Sequence, residues 1–543
     1  MADEKVLDFA VIGGGVGGVY SAWRLKQARP DATVALFEYS DRIGGKLFSV
    51  ALPGMRDVYA ELGGMRYIEA SQPLVTGLIA ELGLASRPFP MGSPEPVGDK
   101  KNFVYMRRRH FYNEQFSDPQ VTPYDLDWAE IGRSPNEITD NVLRMLVPNY
   151  ADLSFDDWFE VKAFGKYLWE WGYWNLLYRV LTPEAYAYLR DGLGYDTNVA
   201  NGNAVNLMFT AGDTSGQDQY RTLVKGYESL PRAVAKQFEE IGGDLRRNQR
   251  LAALEGDASG GYTLHFEETT TDGYRTRGTG RRHSLRAEHV ILGLPRRSIE
   301  LVDWAAKQDD PFLRRNLDSV IVQTAFKLFL GYPQPWWHAL GLQAGRSITD
   351  LPIRQTYYFG TEGEISGSRE KGNLNSLLMA SYNDLATVPF WKGLEAGERF
   401  PGLPNPWTAG GADECETLHE SITPSRQLVE EAQRQIVELH GQRALPEPYT
   451  AAYMDWGEDP FGGGWHSWKA GYRYNEVMPK MRQPVDGQKI YICGAAYSSD
   501  QGWVEGALET AELMLRENLG IGEHACSRGW QHDPLKNLKA RMR

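Results

Sequence analysis

Three glycines in a fixed frame, Gly13, Gly15 and Gly18, stand between a mostly apolar run, Val6 to Ile12, and a helical stretch, Val19 to Gln27. This G-x-G-x-x-G spacing can grip a pyrophosphate. The first glycine makes the tight turn, the second lets the backbone approach the phosphates, and the third lets the helix pack close to the strand. The helix N-terminus then offers free N–H groups and a positive dipole end. A second strand-like run, Thr33 to Phe37, ends at Glu38, twenty residues past Gly18, where a carboxylate can bind ribose hydroxyls. The frame suits a nicotinamide or a flavin dinucleotide.

The segment Asp41-Arg42-Ile43-Gly44-Gly45-Lys46 follows directly. With its second glycine pair it resembles the FAD-binding amine oxidase superfamily. The resemblance implies that Gly44 and Gly45 line the diphosphate and flavin, and that Arg42 supplies charge to the pyrophosphate. It also implies that a backbone group at Leu251 or its neighbour meets the adenine. Lys46 departs from the pattern, which more often has arginine.

Near the C-terminus a strand-like run, Lys489 to Cys493, leads into Gly494-Ala495-Ala496-Tyr497-Ser498-Ser499-Asp500-Gln501-Gly502-Trp503-Val504, and the pattern is helical from Val504 through Met514. A helix N-terminus here can stabilise negative charge on a reduced flavin. The segment resembles the last flavin-binding motif of L-amino-acid oxidases and lysine monooxygenase, which implies that Gly494, Trp503 and Val504 lie at the flavin. Ala495 stands where a glutamate is common, leaving one ribityl contact without its counterpart. Monoamine oxidases attach FAD to a cysteine upstream of this motif. The comparable stretch, Asp459 to His466, has none, so FAD is expected to be bound non-covalently.

The segment Glu61-Leu62-Gly63-Gly64-Met65-Arg66-Tyr67 resembles a signature of L-amino-acid oxidases, in which the arginine clamps the substrate α-carboxylate and Gly64 and Met65 border the flavin. A planar guanidinium suits that task because it makes two parallel hydrogen bonds to a carboxylate. Tyr382, after the strand-like run Leu377 to Ser381, is implied to share the carboxylate. Lys327 sits inside the apolar strand-like run Thr324 to Leu330, and a lysine there needs a reason. In the resembled family it holds a water against flavin N5, which makes Lys327 the expected catalytic residue. Phe461, Trp465 and Trp503 are expected to form aromatic walls. His466 reads as a structural histidine.

The stretch Asn203 to Tyr220 and the following Tyr227 to Pro231 look most like the lysine oxidase and monooxygenase branch. There an aspartate at the position of Asp213 pairs with the substrate ε-ammonium. An enclosed carboxylate suits a cationic side chain because each charge offsets the cost of burying the other. Ser229 stands where that branch can carry cysteine. The implied activity is oxidative deamination of an L-amino acid, lysine or another basic one, to a 2-oxo acid, ammonia and hydrogen peroxide. Its rivals are a 2-monooxygenase making an amide and carbon dioxide, a broad-range L-amino-acid oxidase, a polyamine or monoamine oxidase, and a non-catalytic binder like the proteins that carry prenylated small GTPases.

These residues must be positioned by an α/β fold: a FAD-binding, Rossmann-like domain of the amine oxidase type, a mixed-sheet substrate domain and a helical domain. The FAD domain is expected from residues 1–56, 225–315 and 480–525, and the substrate domain from 57–126, 196–224 and 316–479. A helix-rich block, 127–195, carries Trp, Tyr and Leu at helical spacing, and 526–543 reads as a tail without strong pattern. Asp244 to Leu254 and His289 to Leu294 read as strands, and Gly256 to Arg282 as a surface hairpin of two short strands.

With 543 residues the chain can bury a large core and enclose a ligand. A net charge of −13 argues against nucleic-acid binding, which needs a basic surface. Cys415, Cys493 and Cys526 match no metal or disulfide spacing, so no metal is expected. The N-terminus lacks the pattern of a signal peptide, and no apolar run approaches the ~18 residues of a membrane span. A cytoplasmic protein is expected, acting on a small L-amino acid and O2 without membrane or nucleic-acid partners, as a homodimer.

Overall fold

The computed structural model describes residues 6–92, 101–210, 220–256, 260–364, 372–403 and 418–541, apart from the side chains of Thr210, Ala540 and Arg541. Asp213 lies outside the described residues.

Five parallel strands form the first sheet. Their order is Asp244–Arg246, Val34–Phe37, Leu7–Ile12, the end of Arg275–Leu292, and Ile490–Ile492. The central ones are mostly apolar, and Val34–Phe37 is so throughout, because both of their faces are covered. On one side lie the helix Val16–Ala28 and its neighbours Ser229–Glu240 and Val504–Leu513. Strand, glycine turn and helix thus form where the spacing placed them.

Asp244 to Leu254 is two strands rather than one. Asn248 takes a left-handed conformation at φ 58°, and the chain leaves the parallel sheet to begin Gln249–Gly256. That strand pairs with Tyr262–Asp272, which pairs with Arg275–Leu292 in turn. The expected hairpin of two short strands is therefore eleven and eighteen residues long, and its second strand continues into the parallel sheet. Residues 275–286 are arginine-rich and largely exposed, so they carry no apolar alternation. Pairing along Tyr262–Asp272 holds them extended.

A seven-stranded mixed sheet forms the second layer, in the order Thr450–Asp455, Ala325–Tyr332, Ser376–Asp384, Gln355–Thr361, Arg346–Thr349, Phe103–Met106 and Arg109–Tyr112. A small sheet joins Tyr67–Ile68 and Ser86–Pro88 to Tyr220–Leu223. The strand Val320–Gln323 pairs with Trp465–Trp468.

The block from Asp127 to Tyr195 holds the helices Pro135–Leu146, Tyr173–Val180 and Pro183–Gly192. Ser134 and Glu137 form a capping box at the start of the first, and Thr182 caps the third. Trp158, Phe159, Tyr173 and Tyr188 are core residues, while Trp128 is 89% exposed. Among the described residues no helix is long and apolar enough to cross a membrane.

Candidate functional site

A deep cleft opens where the parallel strands end. It is walled by the first glycine loop, by Gly44 and Gly45, by Gly293 to Pro295, and by Gly494 to Ala496. The glycines have distinct jobs. Gly13 sits at φ +107°, a conformation that other residues rarely adopt, and a Cβ on Gly18 would collide with the Gly13 carbonyl oxygen. Gly15 is different: the nearest atom to an added Cβ is Gly45 Cα at 3.8 Å, so its face looks across open space to the second glycine pair. The helix Val16–Ala28 begins at Gly15 with no side-chain cap and no acidic residue in its first turn. Its N–H groups therefore remain available for an anion.

Glu38 lines this cleft. One of its carboxylate oxygens accepts the Gly14 N–H (2.6 Å), and the other accepts the N–H and hydroxyl of Ser40. Arg42 also borders the cleft, but its guanidinium holds the loop together. It donates to the carbonyls of Leu47 (2.8 Å) and Gly45 (2.6 Å) and pairs with Glu228 at 3.1 Å. Lys46 borders the cleft too, and burial lowers its pKa to about 7. Leu251 does not reach the cleft. It is buried in the core opposite Phe266, and the nearby backbone contact to the Glu38 carbonyl comes from the Gln249 N–H.

At its far end the cleft meets a second cavity. Gly64, Tyr382, Trp465, His466, Gly502, Trp503 and Val504 border both spaces, while Phe461 borders the cleft alone. Trp503 is the extended residue that starts the helix Val504–Leu513, and its ring stacks on Tyr220 at 6.5 Å and 14°. Trp465 stands nearly perpendicular to Tyr382 and to Tyr195. Gly494 is held at φ +129° at the end of its strand.

Arg66 and Met65 line the second cavity. Arg66 is 7% exposed, lies 4.1 Å from the centre of the Tyr220 ring, and approaches Met91 Sδ at 2.7 Å. Among the described residues no carboxylate pairs with it. A buried guanidinium without a counter-ion is costly, and a ligand carboxylate would supply one. Tyr195, Tyr220 and Tyr382 present phenols around it.

Lys327 is 2% exposed and points towards the same junction. It donates to the carbonyls of Glu61 (3.1 Å) and Gly63. Its strand partner is Tyr382, and its Nζ lies 4.4 Å from the centre of that ring. Burial lowers its pKa to about 7, partly opposed by Glu61 and reinforced by Arg66. Glu61, which had no role in the sequence reading, is buried beside it. Desolvation raises its pKa to about 7 despite hydrogen bonds from Ser49 (2.6 Å) and the Tyr227 N–H (2.8 Å). The signal for Glu61 was a carboxylate in the otherwise apolar run Tyr59 to Leu62. Tyr195, Tyr220 and Gln501 had no such signal, because they come from distant segments.

The glycine cradle, the uncapped helix start and the buried cations around the cleft fit a dinucleotide with an anionic bridge. The cavity beyond fits a small zwitterion held by its carboxylate. A model of flavin containing amine oxidoreductases matches residues 16–514, and the chain belongs to that family. Its fold is like that of a putrescine oxidase solved with putrescine bound, with a TM-score of 0.65 at 16% identity over 95% of this chain and 99% of that one. Relatives matching along most of the chain include Aplysianin-A of Aplysia kurodai, 28% identical over 95% of this chain and 90% of its own length. Achacin of Lissachatina fulica is 27% identical, covering 95% and 93%. An L-amino-acid oxidase of Mus musculus is 24% identical, covering 96% of this chain and 72% of its own.

Proposed function

We propose that the chain is a FAD-dependent L-amino-acid oxidase. The observation that carries this reading is Arg66, a buried guanidinium with no carboxylate partner among the described residues, at the wall of a cavity continuous with the cofactor cleft. An amine substrate without a carboxylate would leave that charge uncompensated. L-Amino-acid oxidases among the relatives support the reading.

FAD is bound non-covalently: Gly464 and its neighbours in the stretch upstream of the last motif offer no thiol to attach it. Bound, it supplies the two-electron acceptor for the substrate Cα–H. The protein's part is orientation and charge. Arg66 and Tyr382 hold the carboxylate, Trp465 and Trp503 flank the reacting carbon, and Lys327 holds a water or proton at the junction. The net reaction converts L-amino acid, water and O2 into 2-oxo acid, ammonia and hydrogen peroxide. The side-chain preference is for lysine or another basic L-amino acid, on the ground of Asp213 and its sequence surroundings.

The test is an anaerobic titration of the yellow holoprotein with the L-amino acids, followed by product analysis in air. Bleaching by L-amino acids, with peroxide and ammonia formed one for one, is expected. Bleaching by amines alone, or an amide and carbon dioxide without peroxide, overturns the oxidase reading. Asp213→Asn is expected to weaken lysine turnover far more than phenylalanine turnover, and equal losses remove the basic preference.

A further inference from the structure

The helix Val504–Leu513 turns its N-terminus to the cofactor cleft, and on another face it buries three carboxylates, Glu505, Glu509 and Glu512. Their spacing of four and three residues places them on one stripe. Buried carboxylates need partners, and the C-terminal segment provides several of them. Ser527 donates to Glu512 (2.7 Å), and His532 Nε2 lies 2.9 Å from Glu509. Lys536 Nζ lies 3.1 Å from Asp500, 3.8 Å from Glu505 and 4.0 Å from Glu509. Asn537 adds a hydrogen bond to Asp500 at 3.3 Å.

Two of these acids adjoin the site. Asp500 immediately precedes Gln501, Gly502 and Trp503, which line the substrate cavity. Glu505 lies in the first turn after Trp503. Its two oxygens accept the N–H groups of Leu74 (3.1 Å) and Val75 (2.9 Å), at the start of the helix Pro73–Glu81. That helix closely follows the strand Tyr67–Ile68, whose preceding residue is Arg66. One ammonium is therefore the shared counter-ion of a loop that carries Trp503 and of a carboxylate that docks the Arg66 segment.

We propose that Lys536 is a positioning residue for the reaction: the C-terminal segment acts as a clamp that fixes Trp503 and the helix start against cofactor and substrate. The proposal rests on the oxidase reading only for its choice of substrate, since FAD binding is read separately. Without Lys536, Asp500 and Glu505 lose the cation nearest to both and must protonate or move.

Lys536→Met is expected to weaken FAD binding to the apoprotein at least tenfold. In the reloaded enzyme it should raise KM for the best L-amino acid more than it lowers kcat. Lys536→Arg should restore both to within about threefold, because it returns the charge. Asp500→Asn/Lys536→Met should bind FAD more tightly than Lys536→Met, because one uncompensated carboxylate is gone. If the single variant does not fold, the double variant is compared with the wild type and should still bind FAD at least threefold more weakly. A merely structural tail would lower Tm and leave FAD affinity and KM of the folded fraction unchanged. That result, or a double variant no better than the single, overturns the proposal. Normal FAD affinity in a protein that turns over no amino acid would instead count against the oxidase reading.

Discussion

Lys327 and Tyr382 face each other across adjacent antiparallel strands, with the ammonium nitrogen 4.4 Å from the centre of the phenol ring. The pairing places the buried cation and the proposed carboxylate ligand at the junction of the cofactor cleft and the substrate cavity. Among the described residues, two backbone carbonyls rather than an ion pair fix Lys327 there. Its charge is thus free to act on the reacting centre. Lys327→Met, of similar length and without charge, is expected to slow reoxidation of the reduced enzyme by oxygen at least tenfold, about 1.4 kcal/mol of barrier. Anaerobic reduction by substrate should change by less than threefold. Stopped-flow absorbance of the two half-reactions checks this, and a loss confined to reduction contradicts it.

The glycines of the first loop separate a folding role from a binding role. A Cβ on Gly18 would strike the Gly13 carbonyl, whereas a Cβ on Gly15 meets no atom closer than 3.8 Å. Gly18→Ala is therefore expected to lower Tm even in the apoprotein. Gly15→Ala should leave the apoprotein's Tm within a few degrees and weaken FAD binding at least tenfold by narrowing the approach to the phosphates. Thermal melts and FAD titration of the two apoproteins distinguish the effects.

The same loop shows what a sequence can disclose. Gly13, Gly15 and Gly18 were legible because turn, approach and packing each demand glycine at a set spacing. Lys327 was legible because a charge interrupts an apolar alternation. Arg42 was legible as a cation near the cleft, but Glu228, which pairs with it, comes from elsewhere in the fold, and the carbonyls of Gly45 and Leu47 turn it back onto its own loop. Leu251 was placed by resemblance, for a backbone contact, on a strand Asp244 to Leu254 that is broken midway at Asn248, and its side chain faces the core. The clamp at Lys536 was invisible: the stripe Glu505, Glu509 and Glu512 is a helical pattern, but nothing local says that several of its partners lie in the last eighteen residues.

Arg66 offers the most direct check of substrate class. Its flat guanidinium lies against Tyr220 and can make two parallel bonds to a carboxylate, which an ammonium cannot imitate. Arg66→Lys should therefore lose kcat/KM for the best amino acid by roughly a hundredfold, about 2.7 kcal/mol, within the range for hydrogen bonds to charged groups. Arg66→Ala should lose at least as much. Neither change should lower turnover of an amine lacking the carboxylate, so the ratio of amino-acid to amine turnover should fall. Steady-state peroxide assays on a matched pair, such as lysine and cadaverine, measure that ratio.

Glu61 and Lys327 give the site its pH dependence. Burial lifts the Glu61 carboxyl to about 7 and lowers the Lys327 ammonium to about 7, and the carboxylate opposes part of the latter shift. Glu61→Gln removes that opposition. The limb of the reoxidation profile set by Lys327 should then move to lower pH, since the lysine loses its proton more readily. Stability supplies an independent reading. In the folded state Glu61 keeps its proton up to about 7, whereas in the unfolded chain it releases it near 4.5. Its contribution is present below the unfolded value and is lost as pH rises through the folded one. The stability of the wild type relative to Glu61→Gln should therefore fall between about pH 4.5 and 7 and level off above. Urea unfolding of both apoproteins across that range measures the difference, and a difference that rises with pH would mean that Glu61 is ionised in the folded state.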